Sequence, residues 1–242
     1  MAAAQRVALV TGAGGGIGRA VVARLMQDGF AVGAVDLALA DLPCAIPAAF
    51  AAWSADVTDE RRVAAVVAEC VQRFGRLDAV VHLAGAVGKG PLVDVSLEEW
   101  RRLLDVNLTS AFLIARAAHE SLKASAGSLL LTASVNARNG GSALSGPAYA
   151  VAKAGIVNLT RYLAKEWGGD GIRVNCIAPG PVDTPMVARL PAEAIEGLRR
   201  SVPLGRIAQP GDVASVVSFL CSPAAGYLTG TTLNVSGGLL LD

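Results

Sequence analysis

Tyr149 and Lys153 stand four residues apart in the stretch Gly146-Pro-Ala-Tyr-Ala-Val-Ala-Lys153. On a helix that spacing puts both side chains on one face, with an ammonium in electrostatic reach of a phenol. A free tyrosine has a pKa near ~10 and is protonated at neutral pH, whereas a fixed neighbouring cation favours the phenolate and draws the value toward the working range. The pair is therefore a candidate for moving a proton. Taken alone, the spacing also fits an ordinary solvated surface pair, so its meaning depends on what surrounds it.

The chain opening supplies a second candidate. In Arg6-Val-Ala-Leu-Val-Thr11-Gly12-Ala-Gly14-Gly15-Gly16-Ile17-Gly18-Arg19, a short apolar strand runs into a glycine-rich turn and then a helix, read here from Ile17 to about Asp28. Glycines allow positive φ and close backbone approach, and a helix N-terminus offers N–H groups and a positive dipole end to a pyrophosphate. A second strand, Ala31 to Asp36, ends in an acid, the context that a dinucleotide cradle requires.

With its other motifs the chain resembles the short-chain dehydrogenase/reductase family over essentially its whole length. Thr11-Gly12-x-x-x-Gly16-x-Gly18 is similar to the family's cofactor motif, and Ala55-Asp56-Val57 to its adenine-contacting segment. Asp105-Val-Asn107-Leu carries the active-site asparagine, Ser134 at the end of the strand Ser128 to Ser134 the serine, and Tyr149 with Lys153 the Tyr-x-x-x-Lys pair. Asn175 to Thr184 resembles the nicotinamide-side Pro-Gly segment, and Gly230 to Gly238 the terminal strand with its Gly-Gly.

That resemblance implies roles. Tyr149 would exchange the alcohol proton, Ser134 would hold the substrate oxygen, Lys153 would hold the nicotinamide ribose and lower the Tyr149 pKa, and Asn107 would anchor a water relaying protons from Lys153. NAD would lie against Thr11, Gly12, Gly14, Gly15, Gly16, Ile17, Gly18, Asp36, Leu37, Asp56, Val57, Ala84, Gly85, Tyr149, Lys153, Pro179, Gly180, Val182 and Thr184. Substrate would meet Ser134, Asn136, Tyr149, Pro181 and Met186, under a lid at about 184–202. No metal is expected. Asp36 at the end of strand two, with Leu37 after it, Gly15 in the turn and no arginine expected nearby, favours NAD over NADP.

Two places depart from the family pattern. His82-Leu83-Ala84-Gly85 stands where Asn-Asn-Ala-Gly is usual, and His82 is read as a structural substitute for the missing amides. The loop from Val135 to Pro147 is slightly long and rich in small residues. His119, on an apolar helix, reads as a partly exposed bystander.

The fold must place these residues, and the alternation of strands and helices predicts a parallel sheet built from βαβ units. The expected class is α/β: one Rossmann-type doubly wound domain over 1–242, with about seven strands and helices on both faces. Helical spacing of apolar residues runs from Asp59 to Phe74, followed by a strand from Leu77 to Leu83. Ser96 with Glu99 reads as a capping box, Thr184-Pro185 as a helix start, and Pro210 as the opening of the last helix. Pro43 and Pro47 interrupt any long crossover between strands two and three.

Composition sets limits. The 242 residues are 53% hydrophobic with a formal net charge of +1, which implies neither nucleic acid nor an anionic membrane as partner. The apolar runs fall short of the ~20 residues of a membrane span, and the first residues lead straight into a strand with no leader pattern, so a cytoplasmic location is expected. Cys44, Cys70, Cys176 and Cys221 are scattered and read as buried thiols.

Three functions fit: an NAD-dependent dehydrogenase of a secondary alcohol or polyol, a 3-oxoacyl carrier-protein reductase, and a silent dinucleotide-binding protein. The stretches Val106 to Leu122 and Tyr149 to Trp167 are apolar nearly all round and so need a partner on a second side. With the apolar end Leu239 to Leu241 as a second contact, a homotetramer, or at least a dimer, is expected.

Overall fold

Every residue of β1 (Val7–Thr11) is buried, because a central parallel strand is covered on both faces. The computed structural model describes residues 5–39, 42 and 47–241. β1 pairs in parallel with β2 (Ala31–Asp36) and β4 (Ala79–His82). β3 (Phe50–Ser54), β5 (Ser128–Thr132), β6 (Arg173–Pro179) and β7 (Thr232–Val235) complete a seven-stranded sheet in the order β3-β2-β1-β4-β5-β6-β7.

Side chains alternate across this sheet, as the strand period of two requires. Val7 and Leu9 join one core, with Val63, Val66, Val67 and Cys70 of α2 (Glu60–Phe74) and residues of α4 (Ser110–Ser125) and α6 (Pro147–Trp167). Ala8 and Val10 join the other, with Val21, Val22 and Leu25 of α1 (Gly16–Gln27) and Val213, Val217 and Leu220 of α8 (Pro210–Cys221). This is the expected doubly wound α/β architecture.

Local chemistry explains most element ends. Asp59 accepts the Arg62 backbone N–H (3.1 Å) at the start of α2, and Gly75 closes it in the left-handed region at φ 82. Only half of the expected box forms at α3 (Leu97–Leu104): Ser96 accepts the Glu99 N–H at 3.1 Å, while the Glu99 carboxylate takes a fork from Arg102 at 2.7 and 2.9 Å. Guanidinium pairing wins over the return bond to a backbone N–H.

Other expectations need correction. The apolar stretch from Val106 to Leu122 is not one regular helix: Asp105–Thr109 forms a π turn between α3 and α4, in which the Ser110 N–H reaches five residues back to the Asp105 carbonyl. Thr184-Pro185 opens a series of turns, and the helix of this region, α7 (Ala192–Ser201), begins after Pro191. Strand five stops at Thr132 and strand four spans only Ala79–His82, so Ser134 lies two residues beyond its strand. The segment read as a loop from Val135 to Pro147 contains the short helix α5 (Asn136–Asn139) and pairs with a neighbouring loop through Gly88 N–H to Ser145 O (2.9 Å) and Gly90 N–H to Ala143 O (2.8 Å).

His119 is more than a bystander: its ring faces Trp167 at 4.8 Å and its Nε2 meets Asp170 at 3.1 Å, beside the Lys123–Asp170 pair at 2.8 Å. Pro47 opens a short 3-10 turn, whereas Pro43 and Cys44 lie outside the described residues. Cys70, Cys176 and Cys221 are buried free thiols, as expected. No helix among the described residues is long and apolar enough to cross a membrane, and these residues hold no metal-ligand cluster.

Candidate active site

The predicted residues converge at the carboxyl ends of β1, β2, β4, β5 and β6, the edge where open α/β sheets bind ligands. The glycine turn is shaped by contact. Gly12 sits at φ +69, where a β-carbon would stand 2.6 Å from Ala84 N, and a β-carbon on Gly18 would collide with the Gly12 carbonyl. Gly15 is the N-cap of α1 and has no side chain to accept the first-turn N–H groups, which leaves them for an anion. Thr184 folds over this turn, its methyl 2.8 Å from where a Gly16 β-carbon would be. Val182, Gly180 and Pro179 lead there from β6, with the Gly180 N–H bonded to Val235 O at 3.0 Å.

Asp36 ends β2 as expected, and its carboxylate already accepts Gly14 N–H (2.9 Å) and Ala38 N–H (3.3 Å). Leu37 beside it is 70% exposed. The expectation of no arginine nearby fails: Arg19 donates its Nε–H to Gly14 O (2.9 Å), on the residue whose N–H binds Asp36. Asp56 is exposed and folds back on Thr58 (2.9 and 2.7 Å), Val57 is buried, and Ala55 N–H bonds Asp36 O (3.1 Å), which brings this segment to the same end of the sheet.

At the other end, Lys153 is buried at 3% exposure and donates to Thr132 O at 2.7 Å. Burial lowers its pKa to about 8, because the ammonium loses solvation. Its Nζ lies 5.5 Å from the centroid of the Tyr149 ring. The phenol pKa is raised by burial, and the opposing pull comes from a hydrogen bond with Ser134. The expected lowering by Lys153 is thus replaced by a competition between burial and Ser134, whose Oγ also accepts the Asn136 N–H at 3.2 Å.

Asn107 sits in the π turn with its amide engaged: Nδ2 donates to Ala86 O (2.8 Å) and Leu103 O (2.9 Å), and Oδ1 accepts Ala86 N–H at 3.3 Å. A β-carbon on Gly85 would stand 2.7 Å from Asn107 Oδ1 and 3.4 Å from Lys153 Nζ, so Gly85 keeps open the space these two groups share. His82, 2% exposed, replaces the usual amide in geometry. Its Nδ1 is 2.7 Å from Thr11 Oγ1 and its Nε2 is 3.0 Å from Ser110 Oγ. Ser110 donates its own proton to Val106 O (2.8 Å), so it accepts from His82, and the network assigns the proton to Nε2. Burial, then the charge of Lys153, lowers the His82 pKa to about 3.

Beside Ser134 and Tyr149 opens a cavity of about 310 Å³, lined also by the expected Asn136, Pro181 and Met186. Leu144 and Leu198 on its walls fall in the loop at 135–147 and in the expected lid at 184–202, whereas the sequence did not point to Val87. Leu239, assigned from sequence to a subunit contact, lines this cavity too, whereas Leu241 is 78% exposed.

The sheet order, the glycine turn and the Ser-Tyr-Lys group define a nicotinamide-dependent oxidoreductase fold. The chain belongs to the short-chain dehydrogenase/reductase family: a family model described as enoyl-(acyl carrier protein) reductase matches residues 12–240. Cis-4-hydroxycyclohexanecarboxylate dehydrogenase of Sinomonas cyclohexanicum is 40% identical over 97% of this chain and 96% of its own. The 3-oxoacyl-(acyl-carrier-protein) reductase of Thermotoga maritima is 35% identical over 98% of both chains. Among solved structures, the ligand-free aldohexose dehydrogenase of Thermoplasma acidophilum superposes with a TM-score of 0.89 at 30% identity, covering 97% of this chain and 94% of that one.

Proposed function

We propose that the protein is an NAD(H)-dependent dehydrogenase that interconverts a secondary alcohol and its ketone, with Tyr149 as the acid and base. The observation that carries this reading is the group at the cavity floor: the half-buried Tyr149 phenol bonded to the buried Ser134, with the buried Lys153 ammonium one helical turn away. Ser134 and Tyr149 together hold the substrate oxygen, Tyr149 takes or gives its proton, and Lys153 supplies the positive field and meets the ribose hydroxyls. Asn107 borders the path from Lys153 outward. The open first turn of α1 and the collision-limited glycines fit a dinucleotide, which when bound accepts or returns the hydride.

Asp36 favours NAD, because its carboxylate would face the extra phosphate of NADP with like charge. Arg19 is the group that softens this preference. The segment at 184–202 serves as the lid, and the exposed Phe112 of α4 with Val151 and Tyr162 of α6 supply the surface for a second copy within a homotetramer. The buried thiols suit a cytoplasmic setting. The matches to carrier-protein reductases favour a second reading, 3-oxoacyl reduction, against which Gly15 and Leu37 stand where a basic residue would serve NADPH. Steady-state rates with NAD and NADP across alcohols, polyols and 3-hydroxyacyl thioesters test both. Equal or better use of NADPH refutes the cofactor assignment.

A further inference from the structure

We infer that the cavity beside Tyr149 takes an uncharged, ring-sized alcohol with a single hydroxyl, and disfavours polyols, sugars and carboxylates; this rests on the dehydrogenase reading above. Three features of the walls carry it. Among the described residues, the lining includes no Asp, Glu, Lys, Arg or His. The arginines of the lid helix α7 face outward to one carboxylate, with Arg199 at 2.8 Å and Arg200 at 3.7 Å from Glu196. A carboxylate inside would lose its hydration with no cation in return.

The polar groups of the lining are largely engaged with the protein itself. Asn136 Nδ2 donates to Ser145 Oγ (2.9 Å), Ser145 donates to Ser142 O (3.1 Å), and Ser142 Oγ accepts Leu144 N–H (3.3 Å). Asn139 Oδ1 accepts Gly141 N–H (2.9 Å), and Ser201 donates to Leu198 O (2.7 Å). Ser134 and Tyr149 are left to receive one substrate oxygen. A further hydroxyl of a polyol turned toward Val87, Met186, Leu190, Leu198 or Leu239 would be buried there without a partner. The size agrees, since about 310 Å³ is at the small end of ligand cavities and suits a single ring.

In the reaction, the alcohol carbon loses a hydride to NAD and its oxygen loses a proton to the Tyr149 phenolate, giving ketone and NADH. The phenol proton then leaves to solvent. The test uses the purified full chain with NAD and, separately, NADP, and reads kcat/KM for cyclohexanol, its 4-carboxylate analogue, xylitol, D-glucose and a 3-hydroxybutyryl thioester. Cyclohexanol should exceed xylitol and glucose by about 100-fold or more, the scale of discrimination an apolar pocket exerts against an added hydroxyl, and the ring carboxylate by about tenfold. Met186→Arg, at a site 45% exposed, should narrow the gap between the ring carboxylate and cyclohexanol by about tenfold. Highest kcat/KM for the carboxylate, sugar or polyol, or an unmoved gap in Met186→Arg, overturns the inference while leaving the dehydrogenase reading intact, whereas highest kcat/KM for the thioester overturns the inference and selects the 3-oxoacyl reading. Silence with every substrate and both cofactors overturns the two together.

Discussion

His82→Asn tests whether the histidine between Thr11 and Ser110 is held neutral by its surroundings. In the folded state its pKa falls from the ordinary 6.5 to about 3, through burial first and the charge of Lys153 second. The group is a base with a depressed folded value, so its contribution to stability is complete above the unfolded pKa near ~6.5 and is lost as pH falls toward the folded one. Between these values the unfolded chain binds one more proton, and stability should drop by about 1.4 kcal/mol per pH unit from this residue alone. Going from pH 6.5, where the unfolded histidine is already half protonated, to 4.5 therefore removes about 2 kcal/mol, a sizeable part of a typical folding free energy. Asparagine keeps an acceptor for Thr11 near the Nδ1 position and cannot titrate. It costs the bond to Ser110, about 1 kcal/mol at all pH values. Urea unfolding at pH 7.0 and 4.5 separates the two effects, since carboxylates that also titrate are shared by both proteins. The difference between wild type and variant should shrink or change sign in acid. Parallel losses, within about 0.5 kcal/mol, would show that His82 already takes up its proton in the folded state and that the assigned network is wrong.

Four further outcomes are expected. Tyr149→Phe keeps the ring and removes the ionisable oxygen, so turnover should fall at least ~100-fold while NADH binding persists; more than a tenth of wild-type turnover sinks the assignment. NAD should exceed NADP by at least about tenfold in kcat/KM, about 1.4 kcal/mol, and Asp36→Ala should erase that ratio. Ketone reduction should hold steady up to the Lys153 pKa of about 8 and fall above it as the ammonium is lost, whereas a rate rising beyond that point contradicts a cationic Lys153. Light scattering coupled to size exclusion should give a mass well above the 24.6 kDa of one chain, and a monomer at micromolar concentration means the exposed Phe112 and Val151 need no partner.

Much of the sheet was legible because its signals are local. β2 spans the same Ala31 to Asp36 in sequence and structure, since its apolar run is bounded by Gly29 and the acid. The glycine turn and the Tyr149–Lys153 face were legible for the same reason. What could not be read depends on contacts between distant segments. The π turn forms where the Asn107 amide takes the Leu103 carbonyl and reaches across to Ala86, a competition that no local pattern records. Leu239 reads as one of three equivalent leucines until the chain end folds back onto the cavity. Arg19 reads as an ordinary first-turn residue until its guanidinium folds onto Gly14.

The charge state of the site follows from that same distance dependence. Spacing alone places a cation beside a phenol and predicts an easily ionised tyrosine, but spacing carries no information on burial. In the fold, burial acts on three groups in one patch and pushes each toward neutrality: the His82 pKa down to about 3, that of Lys153 down to about 8, and that of Tyr149 up. At neutral pH only Lys153 remains charged. A histidine can stand in for the usual asparagine here because its second proton is excluded, so it presents one donor and one acceptor, as an amide does. Were His82 to charge, a second cation would share the low-dielectric patch with Lys153 and oppose the ammonium. Tyr149, left protonated, is in the state that donates to a ketone oxygen. Oxidation of an alcohol must first remove that proton, and the Ser134 hydrogen bond, which favours the phenolate, is the contact in this structure that makes its removal easier.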